Sequence, residues 1–118
     1  MKKLPEPTRA DLSKWERLIA EAARIGAAPD QTAGDLAAAE KSARRGVVPW
    51  GELTKANPFV RLVRLAQQFV GETAAGRRAL APALAGSAAE CRPLLDQART
   101  RLTTPPAARV VRLPYAED

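Results

Sequence analysis

Apolar residues recur along this chain at intervals of three and four, a spacing that predicts helices. The longest such run lies between Asn57 and Gly86. Within it Phe59, Leu62, Val63, Ala66, Phe69, Val70, Thr73 and Leu80 share one helical face for about six turns. Asn57 is a favourable cap, and Pro58 suits a first helical turn. Gly71 and Gly76 fall inside this rod, each costing up to ~1 kcal/mol relative to alanine, and a close approach by another helix is the benign reason for them. Pro82 lacks the N–H that a helix interior uses. The pattern therefore predicts a long helix over about 58–85, with a kink near 78–82 or a stop at Ala81.

Shorter elements surround the rod. Residues 1–7, with Pro5 and Pro7, read as a flexible arm. Thr8 and Asp11 are placed to cap a first helix, in which Leu12, Trp15, Leu18, Ile19, Ala22 and Ile25 form an apolar stripe. Gly26 and Pro29 end it. A second helix starts from Asp30 or Thr32 and runs to Gly46. Its apolar side is Ala33, Leu36, Ala37 and Ala43, too small to bury much by itself. Pro49 opens a predicted short helix over roughly 49–55, with Leu53 inward and Trp50 plugging a gap between helices. Ser87 and Glu90 have capping-box spacing for a last helix whose regular part runs over 93–103, with Leu94, Leu95, Ala98 and Leu102 inward. Residues 104–118 read as an extended tail, either lying across the helices or exchanged with another chain. The expected fold is all-α: one domain, a small bundle of roughly four to five helices around the rod.

Composition sharpens this picture. The chain has 118 residues with only two Trp, two Phe and one Tyr, so Leu, Val, Ile and Ala must build the core. Such a core is thin, and self-association is an expected supplement. Nineteen Lys and Arg stand against 13 Asp and Glu, a net charge of +6. A basic chain invites a nucleic-acid reading. Along the first helix, however, Arg9, Asp11, Lys14, Glu16, Arg17, Glu21 and Arg24 alternate in sign, the pattern of a solvated face. Arg44-Arg45 and Arg77-Arg78 are only doublets. The long helix does not suit a helix-turn-helix, and the second helix ends with its arginines rather than starting with them.

Little in the sequence points to catalysis. Histidine is absent, which removes the commonest general base and metal ligand. The one cysteine, Cys91, cannot form an internal disulfide or a thiolate zinc site, and it reads as a small buried filler. Neither a glycine-rich phosphate loop nor a nucleophile elbow is present. The expectation is a protein that is not an enzyme, needs no cofactor or metal, and works by contact. A single cysteine, no apolar leader and no membrane-length run point to the cytoplasm.

The order of features is similar to a known group. VVPWGELTKANPF, AQQFV at 66–70, LAPALAG and ECRPLLDQA at 90–98 follow a Trp-containing first helix. This arrangement resembles the QslA family of quorum-sensing antiactivators of pseudomonads, most strongly from Pro49 to Leu102, just under half of the chain. The resemblance implies a small helical protein that associates with itself and binds the ligand-binding domain of a LuxR-type transcription factor, LasR. There it covers the surface used for dimerisation and so prevents operator binding. It assigns no individual contact residues. On physical grounds the first helix, with Leu12, Trp15, Leu18, Ile19 and Ala22, is the candidate partner-binding face. Trp50, Phe59, Val63, Phe69 and Val70 are candidates for the core or for self-association. The alternatives are a small basic DNA-binding regulator, or an antitoxin or adaptor that masks another protein.

Overall fold

A computed structural model of the chain describes residues 7–30, 34–51, 54 and 56–103. Among them are four helices: α1 (Arg9–Ala27), α2 (Gly34–Arg44), α3 (Pro58–Val70) and α4 (Ala74–Thr103). The protein is an all-α bundle in which α1 packs on α2 and α4, and α3 on α2 and α4. Contacts along the helices fix an up-down-up-down course. Glu16 near the start of α1 meets Arg92 and Arg99 late in α4, whereas Asp30, just beyond α1, meets Arg78 early in α4. At the other flank of α4, Arg61 of α3 reaches Glu90.

Local chemistry explains where α1 and α3 begin. Thr8 Oγ1 accepts from the Asp11 N–H at 3.2 Å, and Asp11 Oδ2 accepts from the Thr8 N–H at 2.9 Å. This reciprocal pair satisfies donors that the first turn leaves open. Asn57 Oδ1 accepts from the Phe59 N–H at 2.9 Å, while Asn57 Nδ2 donates to the Trp50 carbonyl at 2.7 Å. One side chain thus caps α3 and pins the connection that precedes it.

Four sequence expectations need correction. The rod over 58–85 is two helices, because α3 stops at Gly71 and α4 starts at Ala74. Thr73 Oγ1 accepts from the Gly76 N–H at 3.2 Å and caps the new helix. Pro82 does not stop the helix: α4 runs through both Pro82 and Pro93. Both prolines lie on the exposed side of α4, where the carbonyls they leave without partners can be solvated. Ser87 does not start a last helix; it is a buried residue in the middle of α4. The short helix expected over 49–55 is not seen among the described residues of that stretch. Trp50 and Gly51 bend instead, Gly51 at a φ of 73° that favours glycine. Leu53 and the 104–118 tail lie outside the described residues, as do most of the 1–7 arm and the predicted cap at Thr32.

The core follows the helical spacing. α4 contributes Ala81, Leu84, Ala88, Cys91, Leu95 and Ala98, alternating steps of three and four. α3 contributes Phe59, Leu62, Ala66 and Phe69, and α2 contributes Leu36, Ala39 and Ala43. At the crossing of α1 and α4, Gly26 lies against Ala81 and Ala85, so these two helices meet with almost no side chain between them.

Candidate functional site

The five residues read as a partner-binding face are interior. Leu12, Trp15, Leu18, Ile19 and Ala22 are each at most 2% exposed, closed over by the other helices. The reason is physical: this stripe carries Trp15 with Leu12, Leu18 and Ile19, and a core this short of aromatics uses them. Trp15 is its centre. Its ring meets Phe59 edge to face at 5.3 Å between centroids. With the bundle closed these five residues offer almost no surface, and only Leu12 reaches the edge of a cleft.

The second group divides. Phe59 and Phe69 are fully buried core residues and present nothing to another copy. Trp50, Val63 and Val70 are half-buried, packed on the core with one side open.

The open apolar surface gathers at the end of the bundle where α1 begins and α4 finishes. Leu102, expected inward, is 37% exposed, the one large hydrophobic residue so exposed among the described residues. It sits too near the end of α4 for the neighbouring helices to cover it. With Arg9, Leu12, Ser13 and Arg99 it lines a shallow cleft of about 300 Å³. On the other flank of α4, Trp50, Asp96, Gln97, Thr100 and Arg101 line an open depression of about 410 Å³. Arg101 lies over the Trp50 ring at 4.9 Å and donates to the Pro49 carbonyl at 3.3 Å. The indole is thereby held flat, with a cation above it. Trp50 was legible from sequence as a packing residue; its pairing with Arg101 had no signal, since the two are far apart in the chain.

Six of the arginines are engaged in ion pairs. Arg24 pairs with Glu21, Arg44 with Glu40, Arg61 with Glu90 and Arg78 with Asp30, while Glu16 holds both Arg92 and Arg99. The Glu16 carboxyl is pulled two ways. Burial raises its pKa, and hydrogen bonds from Arg99 and Arg92 outweigh that and hold it below the ordinary value. Cys91 is fully buried, and burial pushes its thiol up to about 12, with the Glu90 charge adding to the effect. A thiol in that setting is packing material, not a nucleophile. Among the described residues no cluster of three or more Cys, Asp or Glu could hold a metal ion, and no helix is long and apolar enough to cross a membrane. Comparison with protein-family models, with curated proteins and with solved structures gives no match to this chain.

Proposed function

We propose that this protein is a non-enzymatic antiactivator. It binds the ligand-binding domain of a LuxR-type, LasR-like transcription factor and occupies the surface that factor uses to dimerise. A regulator that grips its operator with two half-site readers loses that avidity when it is held as a single subunit. Quorum-sensing genes under its control then stay silent. The likeness of residues 49–102 to the antiactivators supports this reading. So does the apolar end of the bundle, which is the observation that carries it: Leu102 and the Arg101-backed Trp50 stand on either side of the last turn of α4. A half-buried aromatic and an exposed aliphatic side chain rimmed by arginines are the composition of a contact site. The intramolecular ion pairs also leave fewer arginines for phosphates than the count of basic residues implies. Self-association would use the open sides of Val63 and Val70, and the reading carries a cytoplasmic location with it.

The deciding experiment mixes the purified protein with the regulator's ligand-binding domain and measures the mass of the product by light scattering. The expected product is a mixed complex in place of the regulator dimer, lost in a Trp50→Ala, Leu102→Asp variant that keeps its helical circular dichroism. A regulator dimer that persists at stoichiometric ratios overturns the proposal. Affinity for duplex DNA with a steep salt dependence would replace it with the DNA-binding reading.

A further inference from the structure

The cleft between the start of α1 and the end of α4 sets an apolar floor beside an unmatched cation. Arg9, Leu12 and Ser13 share one side of α1, and Arg99 and Leu102 share one side of α4. The two helices run antiparallel, so each brings an arginine and a leucine one turn apart, in opposite order. Leu12, 2% exposed, is the floor, and Leu102 is an open wall. At about 300 Å³ the cleft stands at the small end of the range for ligand sites, which combine apolar walls with a few polar groups.

The two arginines are not equivalent. Arg99 donates to Glu16 Oε1 at 2.9 Å and stands 3.9 Å from Asp96 Oδ1, so its charge is met and its stem is fixed in the wall. Arg9 is exposed and has no ion-pair partner among the described residues. Ser13, also exposed, places a hydroxyl four positions further along the same side of α1. No Asp or Glu is among the described residues that line the cleft. These features select an occupant by chemistry. Inorganic phosphate or a nucleic-acid backbone would meet Arg9 and leave the leucines idle. A neutral hydrocarbon would cover the leucines and leave Arg9 unmatched. A second copy presenting the same end would bring its own Arg9 against this one. A hydrocarbon chain that ends in a carboxylate uses both halves of the cleft.

We infer that the α1–α4 cleft binds a small aliphatic carboxylate, a medium-chain fatty acid, with its hydrocarbon on Leu12 and Leu102 and its carboxylate at Arg9 and Ser13. The carboxylate accepts from the Arg9 guanidinium and from the Ser13 hydroxyl, and a volume this small seats one short chain. The inference goes beyond the antiactivator reading and does not rest on it, because the ligand binds this chain with no regulator present. Leu102 belongs to both surfaces, so a bound ligand and a partner would exclude each other at the end of α4.

The test titrates the isotopically labelled full chain with hexanoate and follows its backbone and methyl resonances by NMR. Saturable shifts are expected at Leu12, Ser13 and Leu102. Hexanol, the same chain without the charge, should bind about fivefold more weakly, and hexylammonium more weakly still. Acetate, the head without the chain, should leave the Leu12 and Leu102 methyls unmoved over the same range. Arg9→Gln should bring hexanoate to the level of hexanol, and Leu102→Ser should weaken both ligands alike. Both changed residues are exposed, so unaltered melting curves are expected alongside. The inference is overturned if no saturable shift occurs at these residues, if hexanoate and hexanol bind equally, or if hexanoate is indifferent to Arg9→Gln. Shifts that spread over the whole surface without saturating, the behaviour of a detergent, also overturn it. Acetate binding as tightly as hexanoate does so too, and reduces the cleft to a site for simple anions.

Discussion

The indole Nε1–H of Trp15 donates to the Val47 carbonyl across 2.9 Å, joining the first helix to the connection that leaves the second. The bond ties down a segment with no regular structure of its own, and the ring above it packs edge-on to Phe59. Trp15→Phe keeps most of the apolar volume and removes the donor, leaving the carbonyl short of a partner. Urea denaturation should show a loss of about 1–3 kcal/mol. Trp15→Ala adds a cavity and should cost about 3–5 kcal/mol. If Trp15→Phe proves as stable as the parent, the indole bond contributes nothing and the residue is packing alone.

A second clasp holds the turn between α3 and α4. Arg77 donates from Nε to the Phe69 carbonyl at 3.2 Å and from Nη2 to the Val70 carbonyl at 2.9 Å. The same guanidinium lies 5.7 Å from the centre of the Phe69 ring. It thus satisfies carbonyls that the end of α3 leaves open. Arg77→Ala should destabilise the fold by about 1–3 kcal/mol, and Arg77→Lys should restore only part of that, since an ammonium cannot reach two carbonyls in a fixed fork. Thermal unfolding of the two variants distinguishes the fork from simple charge.

These two clasps mark the limit of what the sequence discloses. The start of α1 was legible because Thr8 and Asp11 act within one turn, and the start of α3 because Asn57 and Pro58 do. The apolar spacing identified the core stripes of α1 and α3, and the same spacing made the α1 stripe look available to a partner. Burial depends on what the rest of the chain brings alongside, and periodicity alone does not report that. The break at Gly71 was obscured because Thr73 and Leu80 continue the pattern; Thr73 is an exposed cap and Leu80 belongs to the next helix. Pro82 and Pro93 looked disruptive because their position on the outer side of α4 is a tertiary fact. Ser87 and Glu90 have cap spacing, yet Ser87 is buried mid-helix, its hydroxyl without a hydrogen-bond partner. The open apolar surface at Trp50 and Leu102 depends on how the ends of the helices come together, which no local pattern encodes.

Acid should weaken the bundle through Glu16. Its carboxyl titrates below the ordinary glutamate value of 4.5 when folded, because the hydrogen bonds from Arg99 and Arg92 outweigh its burial. A carboxylate with a lowered folded pKa contributes fully above its unfolded value, and that contribution disappears as pH falls through the folded one. Asp11 acts in the same direction, held below 3.8 chiefly by the Thr8 backbone N–H. The urea midpoint should therefore stay level from about pH 7 to pH 5 and fall below that. Glu16→Gln should lower the midpoint at neutral pH and flatten the acid slope; an unchanged slope would place the acid sensitivity elsewhere.

Cys91 should be silent until the fold opens. The side chain is fully buried beneath the core face of α4, and its thiol is pushed up to about 12, so thiolate is scarce at neutral pH. Reaction with a disulfide reagent should be slow in the native protein and rapid in denaturant. Its native rate should rise in Trp15→Ala by the same factor as the population of open molecules. Prompt labelling of the folded parent would contradict the burial. Cys91→Ala should lose stability with no change in partner binding, because the sulfur fills space and touches no outer surface.

Two glycines in helices should respond to alanine in opposite directions. A Cβ on Gly26 would stand 2.8 Å from the Ala85 Cβ and 3.1 Å from both the Ala81 carbonyl oxygen and the Ala85 nitrogen. Two of those three neighbours are backbone atoms, so α1 and α4 must move apart to admit the methyl. At Gly86, on the outer face of α4, a Cβ meets nothing within 4 Å. Gly86→Ala should therefore gain most of the helix-propensity difference, up to about 1 kcal/mol. Gly26→Ala receives the same propensity gain but must spread the α1–α4 crossing and loosen the contacts around Ala81 and Leu84. Its expected sign is a net loss of about 1–3 kcal/mol. Paired thermal melts read both. A stabilised Gly26→Ala would mean that the α1–α4 crossing yields more readily than its backbone contacts imply, and that the small residues along it are not what sets the helix spacing.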